Sequence, residues 1–142
     1  MNYVIYFLLI CSTTTAVWVT DFEEAKKIAT SSDKDILIYF SGSDWCRPCI
    51  QLKSEILETD VFNDFANENL VMVLADFPKR KKNRLSEDQQ AHNDSLAEKY
   101  NLQGYFPLIV VTDHNGNVKG KTGYQKMSPD EYIDHLKEMM AN

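Results

Sequence analysis

Two cysteines separated by two residues, Cys46 and Cys49, are the side chains of this sequence best suited to chemistry. They lie in the motif Trp-Cys-Arg-Pro-Cys at 45–49, between an apolar run at 36–40 and a segment with apolar residues at helical spacing. A thiolate at a helix N-terminus is stabilised by the unpaired N–H groups there, so its pKa falls below the free value of about 8.5. The second cysteine lies nearly one turn further on, close enough to form a disulfide with the first. The motif therefore predicts thiol–disulfide redox chemistry.

A Cys-x-x-Cys pair can also be half of a zinc site, which needs four ligands. The sequence holds no second Cys/His pair, because His92, His114 and His135 lie in separate polar segments and are expected at the surface. We therefore expect no metal and no cofactor.

The first seventeen residues carry no charged side chain. An apolar run at 4–10 is followed by small and polar residues at 11–16, and the run is too short for a membrane span of about 20 residues. This pattern predicts a secretory signal peptide at 1–16, cleaved after Ala16, and a mature domain at 17–142 exported to the periplasm. The alternative is an N-terminal strand of the fold itself.

The third cysteine, Cys11, lies inside the expected signal. Residues 8–11 loosely resemble a bacterial lipoprotein box, although Ile10 is a poor residue just before a lipidated cysteine. Cleavage after Ala16 would remove Cys11 and leave two cysteines, both in the motif. That is the cysteine usage of a redox enzyme and not of a disulfide-stapled domain.

Length and charge limit the remaining possibilities. A chain of 142 residues with 44% apolar residues corresponds to one domain with a sizeable core. The net charge of −6 argues against a general nucleic-acid binder, which would be basic overall.

The elements that must position the motif alternate between strands and helices. Strands are expected at 36–40, 70–75, 106–111 and 117–121, and helices at 21–31, 46–58, 61–67, from Ser86 to Tyr100, and from Ser128 onward. Capping boxes are read at Thr20/Glu23, Ser86/Gln89 and Ser128/Glu131. Asn115-Gly116 signals a hairpin. This order predicts an α/β fold with a mixed sheet and helices on both faces.

Residues 79–84 form the most basic run of the chain, Lys-Arg-Lys-Lys-Asn-Arg. The simplest interpretation is a solvated loop whose charge aids solubility. The alternative is a docking patch for an acidic partner.

The element order resembles the thioredoxin superfamily, with Trp-Cys-x-Pro-Cys after the first buried strand and a proline before the hairpin. The resemblance covers Trp18 to the C-terminus. Phe40–Cys46 and Asp76-Phe77-Pro78-Lys79 with its basic continuation are similar to exported bacterial thioredoxin-like proteins. The resemblance implies a thioredoxin fold, Cys46 as the more exposed nucleophile, Cys49 as the buried resolving cysteine, and a Cys46–Cys49 disulfide in the oxidised state.

The resemblance also implies a substrate surface. Pro107 would be a cis-proline lying against the cysteines, and Phe106 would offer its backbone as a strand edge for an extended substrate. Trp45 would shield the thiols and form part of this surface. Gly123 matches the glycine of the third substrate loop.

Several positions depart from the family pattern. The buried aspartate on the strand before the motif is replaced by Tyr39 or Phe40, which leaves the proton-transfer route at Cys49 open. Asp44 and Asp76 are nearby candidates. Leu108 replaces the usual threonine and Ser54 the usual mid-helix proline, and one extra residue precedes Pro107. These departures concern proton transfer and substrate preference, not the fold.

The dipeptide between the cysteines bears on the direction of the reaction. Arg47 adds a positive charge that should lower the pKa of Cys46, unless its side chain is simply solvated. Pro48 fits the helix start and resembles the dipeptide of reductases. We expect a monomeric reductase of protein disulfides, recharged by a membrane or soluble electron donor. The alternatives are a disulfide oxidase or isomerase, and a redox-inactive binding module.

Overall fold

The computed structural model describes residues 15–142, so most of the expected signal, including Cys11, lies outside the described residues. Ala16, the last residue of that expected segment, donates its backbone N–H to the Asn63 side chain at 2.8 Å. Over residues 15–142 we find no helix that is both long and apolar enough to cross a membrane.

The described chain folds into one five-stranded sheet with helices on both faces. The strands are β1 (Trp18–Val19), β2 (Asp35–Ser41), β3 (Leu70–Asp76), β4 (Leu108–Thr112) and β5 (Val118–Thr122). The α-helices are α1 (Phe22–Ser32), α2 (Arg47–Leu52), α3 (Asp60–Asn69), α4 (Glu87–Tyr100) and α5 (Pro129–Met140). A π-helical turn, Lys53–Leu57, continues α2, and a short 3₁₀ turn spans Lys81–Asn83.

The spatial order of the strands is β1-β3-β2-β4-β5. β1 and β2 pair with β3 in parallel, whereas β4 pairs antiparallel with both β2 and β5. The predicted mixed sheet is confirmed. The sequence did not reveal β1, because a strand of two residues is too short to show a period.

The central strand β2 is buried on both faces, which explains its continuous apolar run. Because successive side chains of a strand point to opposite faces, Leu37 and Tyr39 join the core beneath α2, α3 and α5. Ile38 and Phe40 join the second core, beneath α1 and α4. Both cysteines belong to the first core, so Tyr39 and not Phe40 shares their side of the sheet.

The start of α1 differs from the prediction by one residue. Asp21, not Thr20, is the N-cap, and its carboxylate accepts the Glu24 backbone N–H at 2.9 Å. The Phe22 N–H is satisfied by Nε2 of His92, at 3.0 Å. Two N–H groups that have no partner within the helix are therefore paired with side chains, and one of these side chains, His92, is distant in the sequence.

The surroundings of the histidines and of the remaining helix caps depend on tertiary contacts. All three histidines are half-buried at the edge of the fold, and His135 lies 3.0 Å from the Thr122 hydroxyl. The capping box at Ser128/Glu131 is confirmed. At Ser86 only the cap itself forms, because the Gln89 side chain turns to the Thr20 carbonyl and to Asn93.

Candidate active site

The two cysteines lie where β2 passes through a tight turn into α2. Cys46 is the N-cap of α2, and its Sγ accepts the backbone N–H of Cys49 at 3.3 Å. The turn is held by the carbonyl oxygen of Gly42, which accepts the N–H groups of Trp45 and Cys46 at 3.2 and 2.8 Å. The sulfur of Cys46 therefore sits at the positive end of a helix, as a reactive thiolate requires.

Cys46 and Cys49 are joined in a disulfide, with their Cα atoms 5.2 Å apart. Cys46 is 4% exposed and Cys49 is 1% exposed. The Gly42 N–H points at the Cys49 sulfur from 3.5 Å. Cys46 is thus the outer sulfur of the pair, and Cys49 is enclosed by the turn and the core.

Tyr39 occupies the position beneath Cys49. Its hydroxyl donates a hydrogen bond to the Cys49 carbonyl oxygen at 2.7 Å. Burial raises the pKa of Tyr39 to about 12, so the phenol stays neutral at physiological pH. A neutral donor therefore stands where the thioredoxin pattern has a carboxylate.

The two aspartates considered as substitutes for that carboxylate hold loops. Asp76, at the end of β3, accepts the backbone N–H and the hydroxyl of Ser43 at 3.0 and 2.6 Å, and also the N–H of Phe77. Asp44 accepts the backbone N–H groups of Lys79 and Arg80, both at 2.9 Å. These bonds fasten the turn before Cys46 to the chain that follows β3.

A pocket of about 430 Å³ opens beside the buried cysteine. Cys49 and Tyr39 line it together with Lys53 and Glu58, whose charged groups lie 3.5 Å apart. The π-helical turn brings these two residues together, because its wider turn places positions five apart above one another. No local pattern in the sequence predicts this pair, since a lysine and a glutamate five residues apart do not face each other in an ordinary α-helix.

Three aromatic side chains, Trp45, Phe77 and Phe106, pack together next to the cysteine motif. The Trp45 indole is 39% exposed and donates its N–H to the Phe77 carbonyl oxygen at 2.7 Å. The Phe106 ring contacts both Trp45 and Phe77 edge-on, with centroids 5.5 and 5.4 Å apart. The Lys79 ammonium lies 3.9 Å from the centre of the Trp45 ring.

The segment before β4 carries the other predicted surface residues. The Phe106–Pro107 peptide bond is cis, with Pro107 buried and Phe106 half-buried. A Cβ placed on Gly123 would lie 3.3 Å from the Pro107 carbonyl oxygen, so the two loops approach closely. Phe106, Pro107 and Gly123 line one groove, and Phe106 links that groove to Trp45.

The dipeptide between the cysteines faces solvent. Arg47 and Pro48 are both exposed in the first turn of α2, with the proline in a position where its missing N–H leaves no bond unmade. Among residues 15–142, no group of three or more histidine, cysteine, aspartate or glutamate side chains is arranged to hold a metal ion.

A family model described as thioredoxin-like matches residues 17–113. Among curated proteins, the disulfide bond reductase DsbH of Chlamydia pneumoniae is 33% identical over 119 residues, which are 84% of this chain and 70% of DsbH. The thioredoxin-related protein DsbJ of the same organism is 28% identical over 98 residues, 69% of this chain but only 27% of DsbJ.

Two solved structures superpose on this chain over most of its length. A DsbH oxidoreductase superposes with a TM-score of 0.85 at 27% identity, covering 99% of this chain and 95% of its own. A thioredoxin from Thermus thermophilus superposes with a TM-score of 0.65 at 16% identity, covering 89% of this chain and 88% of its own, which supports the fold alone.

Proposed function

This chain belongs to the thioredoxin-like family of thiol–disulfide oxidoreductases, and we propose that it works in the reducing direction, on disulfides of proteins. The observation that carries the redox chemistry is the position of the Cys46 sulfur at the start of α2, bonded to the buried Cys49. The direction is supported by the name of the relative that is 33% identical, a disulfide bond reductase, and by Pro48 between the cysteines.

The reaction begins from the dithiol form. The Cys46 thiolate attacks one sulfur of the substrate disulfide, and the other substrate sulfur leaves as a thiolate that takes up a proton. Cys49 then loses its proton and attacks the Cys46 sulfur of the mixed disulfide. The second substrate thiol is released, and two electrons have passed from the protein to the substrate. The Cys46–Cys49 disulfide remains.

Trp45, Phe106, Pro107 and Gly123 form the proposed substrate surface. Phe106 lines the groove beside Pro107 and its ring contacts the exposed indole of Trp45, which supports a continuous surface for an extended peptide next to Cys46. Arg47, at the first position of α2, adds a positive charge that favours the Cys46 thiolate.

Continued turnover needs an electron donor, membrane-bound or soluble, that reduces the Cys46–Cys49 disulfide again. The charge-free leader at 1–16 supports export to the periplasm, with the chain acting there as a monomer. N-terminal sequencing of the protein from the periplasmic fraction tests this assignment. A protein found in the cytoplasm with Met1 intact would contradict it, and a lipid on Cys11 would replace it with membrane anchoring.

A redox titration of the cysteine pair tests the direction. We expect a reduction potential close to that of thioredoxin, about −270 mV. A potential near those of protein disulfide isomerase or DsbA, about −180 to −120 mV, would instead assign the chain as an isomerase or oxidase. Insulin reduction with dithiothreitol adds the test against a redox-inactive binding module, because a Cys46→Ser variant as active as the wild type would defeat the catalytic assignment.

A further inference from the structure

Five of the six residues at 79–84 are lysine or arginine, in a protein whose net charge is −6. We call residues 79–84 the basic loop. Across the described residues 15–142, none of its five cationic side chains is paired with a carboxylate in a salt bridge. The loop is thus a concentrated positive surface on an acidic protein, and salt bridges do not neutralise it within the described residues.

The backbone of the basic loop is held in place. Asp44 accepts the N–H groups of Lys79 and Arg80 at 2.9 Å each, and the side-chain amide of Asn83 at 3.0 Å. These hydrogen bonds lower the pKa of Asp44 to about 2, so the anchor stays charged at all physiological pH values. A loop serving solubility alone would not need three hydrogen bonds to one carboxylate.

The anchor joins the basic loop to the redox site. Asp44 lies two residues before Cys46 in the sequence, and the Lys79 ammonium covers the Trp45 ring from 3.9 Å. The neighbouring Phe77 carbonyl accepts the indole N–H of Trp45. The positive surface therefore begins at Trp45, the residue before Cys46 and part of the proposed substrate surface.

A groove of about 520 Å³ runs between the basic loop and α4. Arg80, Lys81 and Arg84 line it together with Pro78, while Glu87 and Asp94 of α4 also line it. Positive side chains thus line the loop side of the groove and negative ones its α4 side, so an extended chain whose acidic groups face the loop would match its charges.

We propose that the basic loop docks an acidic stretch of polypeptide flanking the disulfide of a substrate protein, and so determines which disulfides are reduced fastest. This inference rests on the reductase activity proposed above. The loop acts at short range, since the Debye length of about 10 Å at 0.1 M salt screens most of the protein's remaining negative charge. The charges hold the acidic stretch while Cys46 attacks the neighbouring disulfide.

The test compares model peptides that share one disulfide and differ only in four flanking residues, aspartate or serine. The reduced full chain should reduce the acidic peptide about tenfold faster than the neutral one at 0.1 M salt. The double variant Lys81→Glu/Arg84→Glu should remove this preference and leave the rate on the neutral peptide unchanged. A matched control, Lys27→Glu/Lys99→Glu, makes the same change in net charge on α1 and at the far end of α4 and should keep the preference.

A second measurement separates docking from chemistry. An acidic peptide without cysteine should bind the oxidised chain about tenfold more tightly than it binds the oxidised loop variant, whatever the redox activity proves to be. Equal binding of acidic and neutral peptides, or equal losses in the loop and control variants, would overturn the proposal. Binding to phosphatidylglycerol vesicles with no peptide preference would also overturn it, by assigning the loop to a membrane surface. Failure to reduce even the neutral peptide counts against the reductase assignment, while the binding data still decide on docking.

Discussion

The hydroxyl of Tyr39 donates a hydrogen bond of 2.7 Å to the carbonyl oxygen of Cys49, tying the central strand directly to the helix that carries the cysteines. The tyrosine is 1% exposed and the cysteine equally so. This contact places an uncharged group beneath the resolving cysteine. Any base that takes the Cys49 proton must therefore reach it from elsewhere, and the pocket that Lys53 and Glu58 line also adjoins Cys49.

Replacing Tyr39 with phenylalanine should lower the free energy of unfolding by about 1 kcal/mol. The cost is modest because the Cys49 carbonyl also accepts the Lys53 backbone N–H and is not left without a donor. Urea denaturation of the oxidised protein measures the change. Reductase turnover should persist in Tyr39→Phe, since the phenol transfers no proton, and a loss of turnover with unchanged stability would contradict this interpretation.

Tyr39 should also make stability depend on pH in the alkaline range. Its folded pKa of about 12 lies above the unfolded value of about 10, so the folded state binds the proton more tightly. This contribution is fully present below pH 10 and is lost as the pH rises toward 12. The decline in unfolding free energy over this range should be shallower in Tyr39→Phe. Tyr105→Phe, which removes an exposed hydroxyl, should behave as the wild type does.

Replacing Arg47 with glutamine should raise the pKa of the Cys46 thiol, because it removes a positive charge next to the N-cap of α2. Thiolate absorbance near 240 nm, followed against pH in the reduced protein, measures the shift. Disulfide reduction below neutral pH should slow about twofold, since less thiolate is present. Arg84→Gln removes an equal charge from the basic loop and should leave the titration in place. An unchanged Cys46 titration in Arg47→Gln would mean that the guanidinium is simply solvated.

Replacing Asp44 with alanine should release the basic loop from the turn before Cys46. Amide hydrogen exchange at Lys79 and Arg80 should become about tenfold faster or more, because both N–H groups lose their acceptor. Asp44→Asn retains one acceptor oxygen, so its amide exchange rates should lie between those of the wild type and those of Asp44→Ala. The folded pKa of about 2 is below the ordinary aspartate value of 3.8, so the anchor is complete above pH 3.8 and is lost as the pH falls toward 2. Protection that persists in Asp44→Ala would show that other contacts hold the loop.

Replacing Gly42 with alanine should displace the Trp45 indole, since a Cβ at position 42 would overlap the indole ring. We expect a loss of about 1–3 kcal/mol in stability from this crowding. The indole should also lose its bond to Phe77, shifting its fluorescence and slowing disulfide reduction. Gly104→Ala is the control: its positive φ of 71° strains the backbone in open space and should leave the Trp45 emission unchanged. An identical change in Trp45 emission in both variants would contradict a specific displacement of the indole and indicate a global loss of stability.

The amino-acid pattern alone predicts the redox role of the cysteine pair, the buried central strands and the alternation of strands and helices. These features depend on local properties, namely the spacing of two residues, the period of apolar side chains and the capping of helix ends. The capping box at Ser128 and the strand at 70–75 are predictable for the same reason. From them followed the mixed sheet and the position of Cys46 at a helix start.

Long-range packing, and not the local sequence, sets which side chains lie around the cysteine pair. Whether Tyr39 or Phe40 faces Cys49 depends on a single-residue register, because neighbouring strand residues point to opposite faces of the sheet. Asp44 proved to anchor a loop 35 residues away in the sequence, a contact that no local pattern encodes. The π-helical turn allows the ion pair between Lys53 and Glu58, and no pattern in the sequence predicts this change of helical period. Local sequence patterns therefore predict where the cysteine pair lies in the fold, whereas contacts between distant segments determine which residues surround it.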